Sequence, residues 1–283
     1  ATGGTNAGYG QTAVANVSAG GTVTASDWAN VVNNTANSAS HQGTSITSVT
    51  APSSGGTVTY LSAVPTNLTT IYTSRLNAAS QGSTSANAVS TVATWSDKAV
   101  WTHTVTFANG DAARYFFNSG GQLKVTCSHP SGTGINLLLN NLASNVGTVV
   151  MSSPTSGSVT IASTSYNGIT KVGGGGNAPT VSTNTGYYAL TISNVSVFTQ
   201  TASTGPSGYL STNINVTVKS NGTQGSNGDA GSVITIYTTW DEIPNGLVVA
   251  TGSTTTVTAQ APETTYLGNS WGSITVAGSV AVV

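Results

Sequence analysis

The segment Lys98-Ala-Val-Trp-Thr-His-Thr-Val-Thr-Phe107 decides the fold class of this chain. From position 100 onward its even-numbered residues are valine and threonine, whereas its odd-numbered residues include Trp101, His103 and Val105. Successive side chains of a β-strand point to opposite faces, so a period of two predicts a strand. We therefore predict a sheet around this segment.

The residues that follow predict a meander of strands. Asn109-Gly110 is a dipeptide typical of a tight hairpin turn, and alternation resumes over residues 113–117. Gly120-Gly121 then predicts a second turn, which leads into a strand over residues 123–127. A helix is predicted after the meander, over residues 135–142, where three leucines follow one another.

The rest of the chain continues this pattern with short strands separated by turn-rich stretches. The further predicted strands are residues 148–151, 158–162, 187–198, 209–219, 233–240, 254–260 and 273–282. Many short strands without long alternating helices predict a mainly β fold. We expect an antiparallel β-sandwich or a jelly-roll.

Upstream of the decisive segment, the sequence predicts an arm and two short helices. Residues 1–22 are rich in glycine, alanine and threonine and predict an extended arm. The helices are predicted over residues 26–43 and 66–82, each with a hydroxyl N-cap at its start and a glycine at its end. We therefore divide the chain into an assembly region, residues 1–95, and a β-sandwich domain, residues 96–283.

Charged residues are scarce in this chain. Six Lys+Arg and seven Asp+Glu among 283 residues give a net charge of -1, whereas about a quarter of an ordinary globular domain is charged. Chains with so little net charge lack the repulsion that keeps copies apart, which predicts a protein that packs against other chains. The scattered Lys and Arg residues form no basic stretch, so we predict no nucleic-acid partner. No apolar run is long enough for membrane insertion.

Candidate catalytic groups are few. Gly268-Asn-Ser-Trp-Gly272 matches a nucleophile elbow, but no His, Asp or Glu follows it. Cys127 and His129 would share one face of a strand, yet no third orienting group is evident. Asp241 and Glu242 are adjacent, so on a strand they would point to opposite faces and could not flank a sugar together. We predict that the chain is not an enzyme and has no catalytic residues.

Metal and cofactor sites are also not predicted. His41, His103 and His129 have no partners at the spacing of zinc ligands. The glycine-rich loop 220–231 contains a single carboxylate, Asp229, which is too little negative charge for a strong calcium site. Weak calcium binding in this loop stays an open alternative.

Three consecutive aromatic residues are candidates for an interface. Tyr115 and Phe117 would lie on one face of the predicted strand and Phe116 on the other. A strand with aromatic residues on both faces is covered on both sides, by the core and by a further layer or a neighbouring subunit. An ordinary interior strand explains the pattern equally well.

A second aromatic group contains candidates for ligand contact. Trp240, Tyr209 and Trp271, together with Tyr187 and Tyr188, could stack on sugar rings while asparagine and threonine side chains make polar contacts. This pattern keeps glycan binding open as an alternative function.

The stretch Ala112-Ala-Arg-Tyr-Phe-Phe-Asn-Ser-Gly-Gly-Gln122 resembles a segment of virion structural proteins from tailed bacteriophages of the marine and cyanobacterial type. Looser similarity extends to residues 24–44, 186–191 and 232–236. The resemblance implies a non-enzymatic particle component of the tail-fibre type. Its partners would be other virion proteins and copies of itself in a homo-oligomer such as a trimer. The resemblance implies no catalytic residues.

We therefore expect a structural component of a bacteriophage virion, made in the bacterial cytoplasm and located on the tail or the capsid surface. The alternative is a receptor- or glycan-binding module at the tail tip, with a host-surface glycan as its ligand. A third hypothesis, a polysaccharide depolymerase, would depend on Asp241 or Glu242.

Overall fold

A computed structural model describes residues 14, 17–58, 62–79, 81–224, 230–268 and 270–283. Within these ranges the chain forms four α-helices and fourteen β-strands. The helices are α1 (Ala25–Gln42), α2 (Ala63–Thr73), α3 (Gly110–Asn118) and α4 (Ile135–Val146). The strands are β1 (Asn77–Ala78), β2 (Gln81–Thr91), β3 (Lys98–Thr106), β4 (Gln122–Ser128), β5 (Thr148–Met151), β6 (Val159–Ile161), β7 (Thr164–Tyr166), β8 (Ile169–Val172), β9 (Thr180–Val181), β10 (Val195–Thr201), β11 (Asn213–Ser220), β12 (Val233–Asp241), β13 (Thr254–Pro262) and β14 (Thr275–Val282).

Two antiparallel sheets enclose one hydrophobic core. The six-stranded sheet has the order β14-β3-β12-β11-β10-β9, and the five-stranded sheet has the order β2-β13-β4-β5-β8. The inner faces of both sheets contribute to the same buried cluster, which is the arrangement of a β-sandwich. A small third sheet, β1-β6-β7, has its own buried residues. The prediction of a mainly β fold is confirmed.

Strand β3 has the alternation that the sequence predicts. Trp101, His103 and Val105 are fully buried, whereas the threonines between them are half-buried on the outer face. Within the core the Trp101 ring lies 5.2 Å from that of Trp240 on β12. The Trp101 indole also donates to the carbonyl of Ser90 on β2 at 2.8 Å, which ties one sheet to the other.

The hairpin predicted at Asn109-Gly110 is wrong, because this segment begins helix α3. The Asn109 side chain accepts a hydrogen bond from the Ala112 N–H at 2.8 Å, and its extended backbone is that of an N-cap. Asparagine favours both tight turns and N-caps, so the dipeptide alone does not separate them. The predicted strand over 113–117 is therefore a helix, which carries the chain from β3 in one sheet to β4 in the other.

The two N-terminal helices exist, but their predicted ends are wrong. Helix α1 is capped by Thr24 and not by Ser26: the Asp27 N–H donates to Thr24 Oγ1, and Asp27 Oδ2 accepts from the Thr24 N–H at 2.8 Å. This reciprocal pair is a capping box with aspartate in place of glutamate. Helix α2 ends at Thr73 and not at Gly82, and the chain then enters β1, which pairs with β6.

Several strands also differ from the prediction. Strand β2 was not predicted, because most of its residues are small, polar and exposed. It pairs with β13, so the five-stranded sheet includes residues on the N-terminal side of the expected boundary at 95. Residues 187–198 form a strand only from Val195, after a short 3₁₀ turn, and residues 209–219 only from Asn213.

The predicted arm falls mainly on residues 1–13, 15 and 16, which lie outside the described residues. Among the described helices, none has the length and apolar character needed to cross a membrane.

Candidate functional site

The three aromatic residues predicted at an interface lie inside the folded chain. Tyr115, Phe116 and Phe117 are 3%, 0% and 1% exposed on α3. The Phe117 ring stacks on Tyr187 at 4.5 Å, and Phe116 meets Trp271 edge to face at 5.5 Å. These contacts bury the aromatic face of α3 within the core, so Tyr115 and Phe116 present no surface to a partner, and Phe117 only borders the groove described below.

The candidate glycan-stacking residues are mostly enclosed as well. Trp240, Trp271 and Tyr187 are buried in the core, and Tyr209 and Tyr188 are half-buried against it. A ring that stacks on a sugar needs one open face. These residues therefore do not form the exposed platform that the alternative function requires.

A serine, a histidine and an asparagine form a hydrogen-bonded chain that the sequence analysis missed. Ser253 Oγ lies 2.9 Å from His129 Nδ1, and His129 Nε2 lies 3.1 Å from Asn136 Oδ1. The Trp95 indole donates to Ser253 Oγ at 3.0 Å, and the Ala250 N–H donates to Asn136 Oδ1 at 2.9 Å. One assignment satisfies every contact, with Ser253 donating to Nδ1 and a neutral imidazole donating from Nε2.

This chain of hydrogen bonds connects its members as a nucleophile, a base and an orienting group are connected in an enzyme. The nucleophile, however, is not accessible to a substrate. Ser253 is fully buried and His129 is 5% exposed, so a substrate cannot reach Oγ. Burial lowers the pKa of His129 below its ordinary value, despite the Asn136 contact. The arrangement holds the segment before β13 against α4 and β4, which is a structural role.

The carboxylates of the depolymerase hypothesis also lie apart. Asp241 forms an ion pair with Lys98 at 3.6 Å on the outer face of the six-stranded sheet. Glu242 is fully buried, and its carboxylate accepts hydrogen bonds from the N–H groups of Leu247 and Asp97 at 3.0 and 3.3 Å. The two groups therefore have separate structural partners.

The remaining candidate groups are Cys127 and the glycine-rich loop 220–231. Burial raises the pKa of the Cys127 thiol to about 12, which disfavours a thiolate. In the glycine-rich loop 220–231, Asn227 and Asp229 lie outside the described residues, and the Asn221 side chain accepts two backbone N–H groups. Within the described ranges, no three His, Cys, Asp or Glu side chains are grouped as metal ligands.

The outer face of the six-stranded sheet carries few charges and is rich in hydroxyl groups. Six threonines on this face lie on three adjacent strands: Thr102, Thr104, Thr106, Thr217, Thr235 and Thr239. The charged side chains on the described part of this face are those of Lys98 and Asp241, which pair, and Lys219, whose ammonium lies 5.6 Å from the Tyr237 ring. Electrostatic repulsion between two such faces would be small.

Each large sheet also ends in a long strand without charge. Strand β14 has eight residues and strand β2 has eleven. Among the described residues, β14 pairs with β3 alone and β2 with β13 alone. Neither contains a proline or a charged residue. Natural proteins usually protect long sheet edges with such residues, because an open edge pairs with other strands.

A groove of about 490 Å³ lies between the small sheet and the end of α3. Its polar lining comes from Arg75, Asn77, Asn118 and Ser153, and its apolar lining includes Leu76 and Ile161. The Arg75 guanidinium lies 4.4 Å from the Tyr72 ring, which is 67% exposed. Grooves of this volume with a few polar groups are typical of small-ligand sites.

Comparison of the chain with protein-family models, with curated proteins and with solved structures gives no match. The functional conclusion therefore depends on the surfaces described above and on the sequence resemblance of residues 112–122.

Proposed function

We propose that this chain is a non-enzymatic structural component of a bacteriophage virion, either tail-associated and fibre-like or capsid-decorating. It acts by packing against copies of itself and against other virion proteins in a homo-oligomer, with a trimer as one candidate. The support for a virion location is the resemblance of residues 112–122. Packing as the mode of action has independent physical support.

The observation that carries the proposal is a sheet face with few charges that ends in an open, uncharged edge strand. A lone protein in solution usually blunts such an edge, whereas a subunit of an assembly uses it for main-chain hydrogen bonds to a neighbour. The scarcity of charge in the whole sequence favours the same interpretation.

In this proposal, the residues that precede β2 dock to the particle, and the β-sandwich or jelly-roll, which includes β2, projects from it or packs against neighbours. Deletion of residues 2–22 should leave a folded protein that no longer enters particles. Normal incorporation of this variant would remove the proposed role of the arm.

The direct test is to look for the protein in purified phage particles. We expect its peptides in the mass spectrum of density-purified particles, and gold-labelled antibodies on the tail or the capsid surface in electron micrographs. A matched antibody against an abundant host cytoplasmic protein controls for contamination. Absence of the peptides from pure particles would refute the virion location.

The groove at Arg75 favours a second candidate function, a receptor- or glycan-binding module at the tail tip. Guanidinium and amide groups beside apolar side chains suit the hydroxyl groups and ring faces of a sugar. Saturation-transfer NMR with host lipopolysaccharide should then show binding that Arg75→Ala and Asn77→Ala weaken. Lys219→Ala, on the outer sheet face, is the matched control, and equal binding by all variants would exclude the groove.

A further inference from the structure

The free edge of β14 is open to pairing. Strand β14 ends the six-stranded sheet and has β3 as its neighbour on one side. Six of its eight residues are exposed. A Cβ atom built on Gly278 would lie 2.3 Å from Ser90 Oγ on β2. Because a Cβ projects from the face of a sheet, β2 lies beneath the inner face of β14 and leaves its edge free.

The hydrogen-bond pattern identifies the groups that point outward. The Val283 N–H donates to the Lys98 carbonyl at 2.9 Å, one position beyond the β14–β3 register. Hydrogen-bonded pairs alternate along an antiparallel ladder, so the odd-numbered residues of β14 bond to β3. The Phe107 N–H donates to the Ser232 carbonyl, so the odd-numbered residues of β3 bond to β12. The even-numbered residues of β3 therefore bond to β14, in agreement with the assignment above.

The even-numbered residues of β14 therefore turn their backbone groups toward the open edge. These are Val276, Gly278, Val280 and Val282. Within the described ranges, their N–H and C=O groups make no hydrogen bond outside the sheet ladder. An antiparallel strand laid along this edge would satisfy them.

We propose that β14 pairs with β14 of a second copy across a twofold axis through Ser279, which deepens the assembly function proposed above. In this register Val276 lies opposite Val282 of the second copy, and Gly278 opposite Val280. All four outward residues then take part, which gives about eight new hydrogen bonds. A register shifted by two residues in either direction would leave one of these four residues without a partner in the other β14 strand. The two six-stranded sheets become one sheet of twelve strands.

The side chains of β14 fit this self-pairing. On the outer face Ser279 meets its own copy, and Ala277 meets Ala281, so the contacts are small and uncharged. On the inner face Val282, which is 51% exposed in the single chain, gains a valine neighbour. A strand that pairs with itself must carry no residue that repels its own copy, and β14 carries no charge. The lack of charge removes the repulsion that would oppose a second copy, and in this register none of the four outward residues is left unpaired.

A cysteine placed on the axis tests the register. Residues on the outer face form non-hydrogen-bonded pairs across the new interface, with Cα atoms about 4.5 Å apart, a distance that a disulfide spans. We expect Ser279→Cys to form a covalent dimer under mild oxidation. Ala277→Cys alone should not, because it faces Ala281, whereas the double variant Ala277→Cys/Ala281→Cys should. The wild-type chain, with Cys127 alone, gives the baseline.

Introduced charges test the same interface without oxidation. Ser279→Lys places two ammonium groups opposite each other and should shift the protein from dimer to monomer in sedimentation velocity. An equimolar mixture of Ser279→Lys and Ser279→Asp should restore the dimer. Asn87→Lys, at an exposed position of the other edge strand, should leave the dimer intact.

The outcomes separate this interface from the virion function. Cross-linking of Ser279→Cys no faster than that of Ala277→Cys, or a dimer that persists in Ser279→Lys, overturns the β14 pairing. The same result leaves the virion function standing if the protein is found in purified particles. Absence from particles refutes the virion function without affecting a measured β14 dimer.

Discussion

His103 is a titratable side chain buried without a hydrogen-bond partner. It has no exposed surface, and neither ring nitrogen has a partner among the described residues. It lies on β3 opposite Gly278 of β14, and its imidazole is next to that glycine. Burial lowers the pKa of His103 from 6.5 to about 4, because the imidazolium loses its hydration there.

We predict that His103 makes the fold sensitive to mild acid. In the unfolded chain the imidazole binds a proton near pH 6.5, whereas in the folded chain it does so near pH 4. Between these values the unfolded state holds more protons, so the free energy of unfolding decreases as the pH falls from about 6.5 to about 4. The slope is about 1.4 kcal/mol per pH unit, or roughly 3 kcal/mol in total. Urea unfolding at pH 7.5, 5.5 and 4.5 measures it.

His103→Met is the matched variant, because it keeps a similar volume and cannot bind a proton. It should be as stable as the wild type at pH 7.5 and lose less stability on acidification. Burial also lowers the pKa values of His41 and His129. These two histidines contribute equally to the pH dependence of unfolding in both proteins, so the difference between the proteins reports on His103. Equal slopes for the two proteins would contradict the assignment to His103.

Ser253 provides a second prediction at the scale of single residues. Ser253→Ala leaves the Trp95 indole and His129 Nδ1 buried without partners, which should lower the free energy of unfolding by about 1–3 kcal/mol. Ser83→Ala, at an exposed position of β2, should change it by less than about 0.5 kcal/mol. Chemical denaturation of the wild type and of the two variants measures these differences. Equal denaturation midpoints for the wild type and Ser253→Ala would contradict the structural role of Ser253.

Among the elements, helix α3 shows where sequence periodicity stops being informative. Six consecutive residues of α3, 112–117, are buried. A helix buried on all sides has no apolar stripe, so its sequence does not distinguish a helical period from a strand period. Strand β3 was predicted because one of its faces is buried and the other only half-buried.

The N-cap of α3 can be tested by substitution at Asn109. Asn109→Ala removes the acceptor for the Ala112 N–H and should cost about 1 kcal/mol of stability. Asn109→Thr keeps an oxygen acceptor and should cost less. A hairpin turn would require a positive φ at this position, which a β-branched residue strongly disfavours. A larger loss for threonine than for alanine, in thermal unfolding, would contradict the N-cap.

The candidate interface depends on topology that the sequence does not reveal. The uncharged composition of residues 273–282 is visible in the sequence, and a strand there was predicted. Strand β14 lies at the edge of its sheet because it pairs with β3, which is distant from it in the sequence. Strand β2 was missed because only Ser90 among its residues is buried, which leaves no alternating apolar face. The sequence instead predicts an interface at Tyr115, Phe116 and Phe117, because three consecutive aromatic residues would cover both faces of a strand.

The distribution of charge over the folded chain determines which contacts its copies can make. The described outer sheet face carries few charges, and both long edge strands carry none. Contacts between copies would then be hydrogen bonds between backbones and packing of small side chains. Neither depends strongly on ionic strength, in contrast to contacts between charged surfaces.

We therefore predict that self-association is nearly independent of salt. Raising NaCl from 0.1 M to 1 M shortens the screening length from about 10 Å to about 3 Å, yet the dimerisation constant of the wild type should change by less than about twofold. The mixture of Ser279→Lys and Ser279→Asp is the control, because its dimer gains an ionic contact and should weaken as salt rises. Sedimentation velocity at both salt concentrations compares the two. A wild-type dimer that dissociates in 1 M NaCl would show that its few charges hold the copies together, and that the open neutral edge does not.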